Sequence, residues 1–227
     1  MLRRRLFHIF LIMALAICLP GLGRAATLHV GPGQTYATIQ AAIDAANPLD
    51  QIVVHDGIYV ENLVINQPLA ITSSDFLTFG QNDGAVLDAS DIASTLHGIE
   101  VNSPGVSIRG LSIHSALGMT ADYLEYRAGI VLRADGCTVT NNRLGWDEDH
   151  ENSLGIWLDD ADNTLLDENE IMGVMHGIWM QNSRACTVSG NDVHGAGNAS
   201  YSGGLYIMGD YAAPDPGADD HRSDPSL

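Results

Sequence analysis

Hydrophobic and variable positions alternate through five copies of one short strand between His97 and Met208: Gly98-Ile-Glu-Val, Gly129-Ile-Val-Leu, Gly155-Ile-Trp-Leu, Gly177-Ile-Trp-Met and Gly204-Leu-Tyr-Ile. Successive copies lie 31, 26, 22 and 27 residues apart, a spacing that suits one turn of a solenoid and is too short for a domain. Period-two alternation predicts a strand with one buried face. A second strand is expected after each copy, at Val106 to Ile113, Cys137 to Leu144, Thr164 to Ile171 and Thr187 to Val193. Asn142, Asn169 and Asn191 share one register of it, so stacked coils predict an asparagine ladder at a bend, each side chain bonding the coils above and below.

Upstream, a lead strand at Thr27 to Val30 precedes a glycine-proline turn and then Ile39, Ala42, Ile43 and Ala46 at helical spacing within Tyr36 to Ala46. Thr35 is the expected N-cap, and Asn47-Pro48 stops the helix. A lone amphipathic helix followed only by strands needs an apolar surface, and the open end of a solenoid supplies one. Gln51 to Ile65 reads as strand, Asp56-Gly57 turn, strand, and Leu69-Ala-Ile-Thr continues that first coil. Residues Phe76 to Ser94 are less regular and are assigned to a second coil with a loop at Gln81 to Gly84. Insertions at Gly118 to Arg127, Trp146 to Ser153 and Gly195 to Ser202 all follow the second strand, which would gather them at one corner as a rim.

The two ends of the chain differ from this pattern. Arg3, Arg4 and Arg5 precede an apolar run from Leu6 to Leu19, and Gly23 and Ala25 supply small residues before a cut at Ala26. Residues 1–25 therefore read as a signal peptide, 26–211 as the solenoid domain and 212–227 as a disordered acidic tail. A secreted or periplasmic protein, with no membrane attachment after cleavage, is expected. The last coil, opened by Gly204-Leu-Tyr-Ile, is never completed, so either the chain is a piece of a longer protein with further coils or a partner covers that end.

Composition narrows the partners. There is no lysine, and removal of the leader leaves 6 Arg against 28 Asp and Glu, a formal charge of −22. That balance argues against nucleic acid and anionic lipid as partners unless cations bridge the two. Cys137 and Cys186 begin equivalent strands with Asn163-Thr-Leu between them, which places them two layers or ~9.6 Å apart, beyond the ~7 Å that a disulfide tolerates.

Three stretches carry a resemblance: Tyr36-Ala-Thr-Ile-Gln-Ala-Ala-Ile-Asp-Ala-Ala, Ile52-Val-Val-His-Asp-Gly-Ile-Tyr-Val-Glu, and the Gly-Ile repeats. Over roughly residues 27–208 the chain resembles the right-handed parallel β-helix, or pectin-lyase-like, superfamily. The resemblance implies an all-β right-handed parallel β-helix with a short N-terminal capping helix. Members include polysaccharide lyases, pectin esterases, polygalacturonases, alginate epimerases, surface adhesins and NosD-type accessory proteins, so it does not choose a chemistry. Asp75-Phe-Leu-Thr-Phe-Gly is only loosely similar to a pectin-esterase motif and lies in an early coil. The Asp-Pro-His-Asp motif of the epimerases is absent, and the Arg-Ile-Lys motif of polygalacturonases cannot occur without lysine.

Within each Gly-Ile-x-Leu strand the middle residue faces outward, which makes an outer row of Glu100, Val131, Trp157, Trp179 and Tyr206. The three aromatics would form a flat strip, either covered by the corner loops or a partner, or open as a platform for sugar rings. The next outward row, Asn102, Arg133, Asp159, Gln181 and Met208, places hydrogen-bonding groups beside it, as a polysaccharide site requires. Trp157, Trp179, Tyr206 and Gln181 are thus the candidate carbohydrate contacts. Arg133 and Asp159 are either an ordinary ion pair or the catalytic pair of a uronate lyase, with Arg133 as base. Asp159, Asp160 and Asp162, with carboxylates of the neighbouring corner loop, are either a solvated turn or a calcium site. His114, His176 and His194 are scattered and read as surface residues, and Asn198-Ala-Ser is a glycosylation sequon. Two classes of function follow: a module that binds or processes polysaccharide, or a non-catalytic surface scaffold whose aromatic strip binds a protein.

Overall fold

The computed structural model describes residues 24–75, 84–89, 97–115, 127–145, 153–194 and 203–208. The leader, apart from its last two residues, and the acidic tail lie outside the described residues, as do most of the corner insertions and Asn198.

Every strand pairing among the described residues is parallel, and three sheets run the length of a right-handed parallel β-helix. The first sheet stacks β1 (Thr27–Val30), β2 (Gln51–Val54), β5 (Ala70–Ser73), β8 (Ser107–Arg109), β11 (Thr138–Thr140), β14 (Leu165–Asp167) and β17 (Thr187–Ser189). The second stacks β3 (Gly57–Val60), β6 (Ala85–Ala89), β9 (Ser112–Ser115), β12 (Arg143–Gly145), β15 (Glu170–Met172) and β18 (Asp192–His194). The third stacks β4 (Leu63–Ile65), β7 (Ile99–Val101), β10 (Arg127–Leu132), β13 (Ser153–Asp159), β16 (His176–Gln181) and β19 (Gly203–Met208).

Each coil therefore carries three strands, where alternation in the sequence predicted two. The expected second strand breaks at a bend because Gly110, Asn141, Glu168 and Gly190 adopt positive φ, between 53° and 74°. A left-handed residue turns the chain and takes its neighbours out of strand geometry. The asparagine ladder occupies that bend. Asn142 Nδ2 donates to Asn169 Oδ1 at 3.1 Å, and Asn169 Nδ2 donates to Asn191 Oδ1 at 2.8 Å. The same oxygens accept the backbone N–H groups of Asn142 and Asn169 at 3.0 Å, so the side chains replace the sheet bonds that the bend interrupts.

Inward-facing Ile99, Ile130, Ile156 and Ile178 stack in register within the central core. Gly155 marks how closely the coils approach, since a Cβ there would lie 2.4 Å from Gly177 O and from Ile171 Cγ2. At the N-terminal end a helix, α1 (Ile39–Ala45), closes the solenoid by burying Ile39, Ala42 and Ile43. Its N-cap is Thr38, whose Oγ1 accepts the Ala41 N–H, and not Thr35. The difference arises because Glu61 reaches up from the first coil and accepts the Ile39 and Gln40 N–H groups at 2.7 and 3.0 Å, anchoring the first turn at that point. Gln40 then pairs its side-chain amide with the backbone of Val64, donating to Val64 O and accepting from Val64 N–H, so an amide covers the edge of β4.

Cys137 and Cys186 are both free. The residue between them is Thr164, one position on from the expected alignment, since Thr138, Leu165 and Thr187 share a register. No helix among the described residues is long and apolar enough to cross a membrane.

Candidate functional site

The outer face of the third sheet gathers the predicted side chains. Glu100, Val131, Trp157, Trp179 and Tyr206 are successive register partners, and Asp159, Gln181 and Met208 form the next column. The outward alternation of β10, β13, β16 and β19 matches the expected register, and of the two expectations for the strip, covered or open, the structure lies between. Val131 is fully buried although it points outward, because Ala128, Val131 and Leu154 make a small second apolar cluster against which Trp157 and Trp179 pack. Only Tyr206, at 43% exposure, stands open. Both indoles pack against that cluster, so the strip presents one exposed ring and two half-buried ones in place of a flat platform.

The rings are ordered around a histidine that sequence reasoning had placed on the surface. Trp179 and Tyr206 lie 4.7 Å apart between centroids, tilted by 36°. His176 is buried and contacts both, edge-on to Trp179 at 5.1 Å and tilted at 5.2 Å from Tyr206. His97 occupies the corresponding place one end over, edge-on to Trp157 at 5.8 Å, and its Nδ1 accepts the Ala128 N–H. Both histidines immediately precede the glycine of a repeat, His97-Gly98-Ile99 and His176-Gly177-Ile178, and that shared position was the available signal. Burial pulls His97 down to about 4, helped by the Arg133 and Arg127 charges, and burial lowers His176 as well. Both rings are therefore neutral at pH 7. His176 Nδ1 and Trp157 Nε1 are buried with no hydrogen-bond partner among the described residues.

Arg133 binds the polar column together. Its Nη1 donates to Glu100 Oε1 at 2.9 Å and its Nε to Asp159 Oδ2 at 3.3 Å, while the guanidinium carbon lies 5.7 Å from the Trp157 ring centre. The catalytic candidates Arg133 and Asp159 are thus brought together, with Glu100 as a third member that was not singled out. Both of these contacts go to carboxylates, so the arrangement positions a cation between Glu100 and Asp159. Gln181 follows Asp159 in register and is half-buried beside Trp179.

The calcium candidates are not brought together. Asp159 is turned to Arg133, Asp160 is exposed at positive φ, and Asp162 Oδ1 accepts the Arg184 N–H at 2.7 Å. Among the described residues no three His, Cys, Asp or Glu side chains converge to hold a metal ion. The acidic corner loop that was to complete the site lies outside the described residues.

Comparison with known proteins agrees with the geometry of the coils. The family model for the right handed beta helix region matches residues 54–213. A cell surface glycoprotein of Methanothermus fervidus is 28% identical over 152 residues, covering 63% of this chain and 22% of its own length, so the chain spans about a fifth of that relative. Among solved structures, a pectin methylesterase in complex with a hexasaccharide superimposes with a TM-score of 0.50 at 18% identity, covering 70% of this chain and 55% of that one. A pectin methylesterase from Aspergillus niger, at 16% identity, covers 85% of this chain and 92% of its own with a TM-score of 0.44. At 18% identity the likeness to the hexasaccharide-bound enzyme speaks to the fold alone. The chain belongs to the right-handed β-helix family.

Proposed function

We propose that this protein is an exported, surface-acting β-helix module that binds neutral polysaccharide on the outer face of the third sheet. The observation that carries this reading is a cluster of Trp157, Trp179, Tyr206 and His176 that retains two unpartnered buried nitrogens beside the polar column of Arg133, Asp159 and Gln181. Saccharides are recognised by ring contact through their CH faces together with hydrogen bonds to their hydroxyls, and both kinds of group lie within one patch here. Tyr206 is the exposed ring for the first role, while Gln181, half-buried in the adjacent column, suits the second.

Charge selects the ligand class. Glu100 and Asp159 flank the guanidinium of Arg133 beside the rings, with Arg127 near His97, on a chain of 28 acidic against 10 basic residues, an overall balance that disfavours uronates and other anionic sugars. Binding is favoured over lyase chemistry because Arg133 is held by two carboxylates. The similarity to a cell surface glycoprotein supports a location outside the cell and also a second reading, a scaffold whose outer face meets another protein.

Titration of the purified protein with soluble neutral and uronate oligosaccharides, followed by tryptophan fluorescence, separates these readings. Neutral glycans are expected to shift the emission of the wild type and to leave Trp179→Ala unchanged, with polygalacturonate and calcium giving no unsaturated product by absorbance. A spectrum unmoved by every glycan would overturn saccharide binding and leave the scaffold. Accumulating unsaturated product would restore the lyase.

A further inference from the structure

A buried carboxylate far from the aromatic face has no counter-charge. Asp50, between α1 and β2, is 3% exposed, and its partners are the N–H groups of Asn47 and Ala26 and the Asn47 side-chain amide. The Ala26 N–H donates to Asp50 Oδ1 at 2.7 Å, and Ala26 O accepts the Gln51 N–H at 2.8 Å, so Ala26 is pinned from both sides in register with the edge of β2. Arg24 and Ala25, the two described residues before it, are exposed. Among the described residues Ala26 is thus the first whose backbone is tied into the solenoid, and the peptide bond leading into it follows an exposed residue. An ionised carboxylate buried with only neutral donors is an arrangement that a cation would complete.

We infer that the chain is processed at the Ala25–Ala26 bond and that Asp50 is the receptor for the α-ammonium group so created. The step is a hydrolysis by an export-linked peptidase. The oxygen of water joins the Ala25 carbonyl carbon, the carbon–nitrogen bond breaks, and both protons of the water end on the released Ala26 nitrogen, leaving an Ala25 carboxylate and an Ala26 ammonium. That nitrogen already sits at hydrogen-bond distance from Asp50 Oδ1, so cleavage turns a neutral bond into a charged one without moving an atom of the fold. The leader reading from sequence placed the cut by small residues alone. Asp50 gives the position a structural reason, and it makes the mature start part of the solenoid's N-terminal closure.

The absence of lysine makes the test clean, because the α-amino group is the only primary amine in the processed chain. The full precursor is exported from a bacterial host, and the product is identified by intact mass and N-terminal sequencing; Ala26 is expected as its first residue. The folded product is then treated with an amine-directed acetylating reagent. Acetylation is expected to run at least roughly tenfold slower than in the urea-unfolded chain, because the amine is bonded and partly enclosed. Asp50→Asn is expected to abolish that protection. A chain beginning at Ala25, which keeps the whole fold and moves the charge out by about 3.5 Å, is expected to react as fast as unfolded protein. A product starting at another residue, an amine equally reactive in the folded and unfolded chain, or protection that persists in both variants would overturn the assignment.

Discussion

Two columns of side chains run along this solenoid at the same ~4.8 Å spacing, and they treat polar atoms in opposite ways. In the inner asparagine column every amide is hydrogen-bonded, and Asn142 and Asn169 reach the coils on either side, with Asn169 Oδ1 accepting from both the backbone and the side chain of Asn142 and Asn169 Nδ2 reaching Val139 O. In the outer column Trp157 Nε1, and beside that column His176 Nδ1, are enclosed without a bonding partner among the described residues. A saturated polar ladder holds a shape, whereas an unsaturated one gains by meeting a ligand. Repetition alone does not mark function; the state of the hydrogen bonds separates the framework from the site.

The contrast can be broken most severely from the inside. Asn169→Leu leaves the Asn142 N–H without its partner, at roughly 1–3 kcal/mol, and removes the side-chain bonds to Val139 O and to Asn191 Oδ1, which keeps the residue-169 backbone N–H, at about 1 kcal/mol each, so a loss of about 3–5 kcal/mol is expected by chemical denaturation. Such a loss would leave the glycan response unaltered in whatever fraction still folds. A stability loss below about 1 kcal/mol would show that the ladder is not a framework.

His97 stands between the columns, since it satisfies the Ala128 N–H and also meets Trp157. With the folded group at about 4 against 6.5 in the unfolded chain, acid protonates the unfolded state first. Stability is thus fully present above pH 6.5 and falls as pH drops towards 4, with a ceiling of roughly 3 kcal/mol. Denaturant midpoints measured from pH 8 to 4 are expected to show this fall in the wild type and a flatter profile in His97→Gln.

The outer column should be sensitive in binding and tolerant in folding. Trp179→Ala removes a half-buried ring and is expected to lower stability by about 1–2 kcal/mol while abolishing the glycan-dependent emission change. Arg133→Met should have the smallest effect on folding, under about 1 kcal/mol, because its two ion pairs are partly exposed and screened. Its influence on ligand choice should be larger: with Glu100 and Asp159 left uncompensated, uronate binding is expected to weaken further relative to neutral glycans.

Much of the architecture was legible because a solenoid is written as local periodicity. The repeats of Gly, Ile and a third apolar residue disclosed the third sheet and its register, and the asparagines disclosed the ladder. The break within the expected second strand was missed, since Asn141 and Glu168 carry no glycine to announce positive φ at the bend. Thr35 was taken as the helix cap because local spacing cannot reveal Glu61 arriving from the next coil. In the site, the outward direction of Trp157, Trp179 and Tyr206 followed from alternation, but the burial of Val131 and the placing of His176 against the rings did not.

By itself the sequence determined which residues share a column, because the strand period and the coil length are properties of the local chain. Only the tertiary structure decided what each column can do. Whether an indole is open or half-buried, whether Arg133 is free or held between Glu100 and Asp159, and whether a buried nitrogen finds a partner all depend on side chains from other coils. These are brought within a few ångströms by stacking, across 22 to 36 residues of sequence that no local pattern spans.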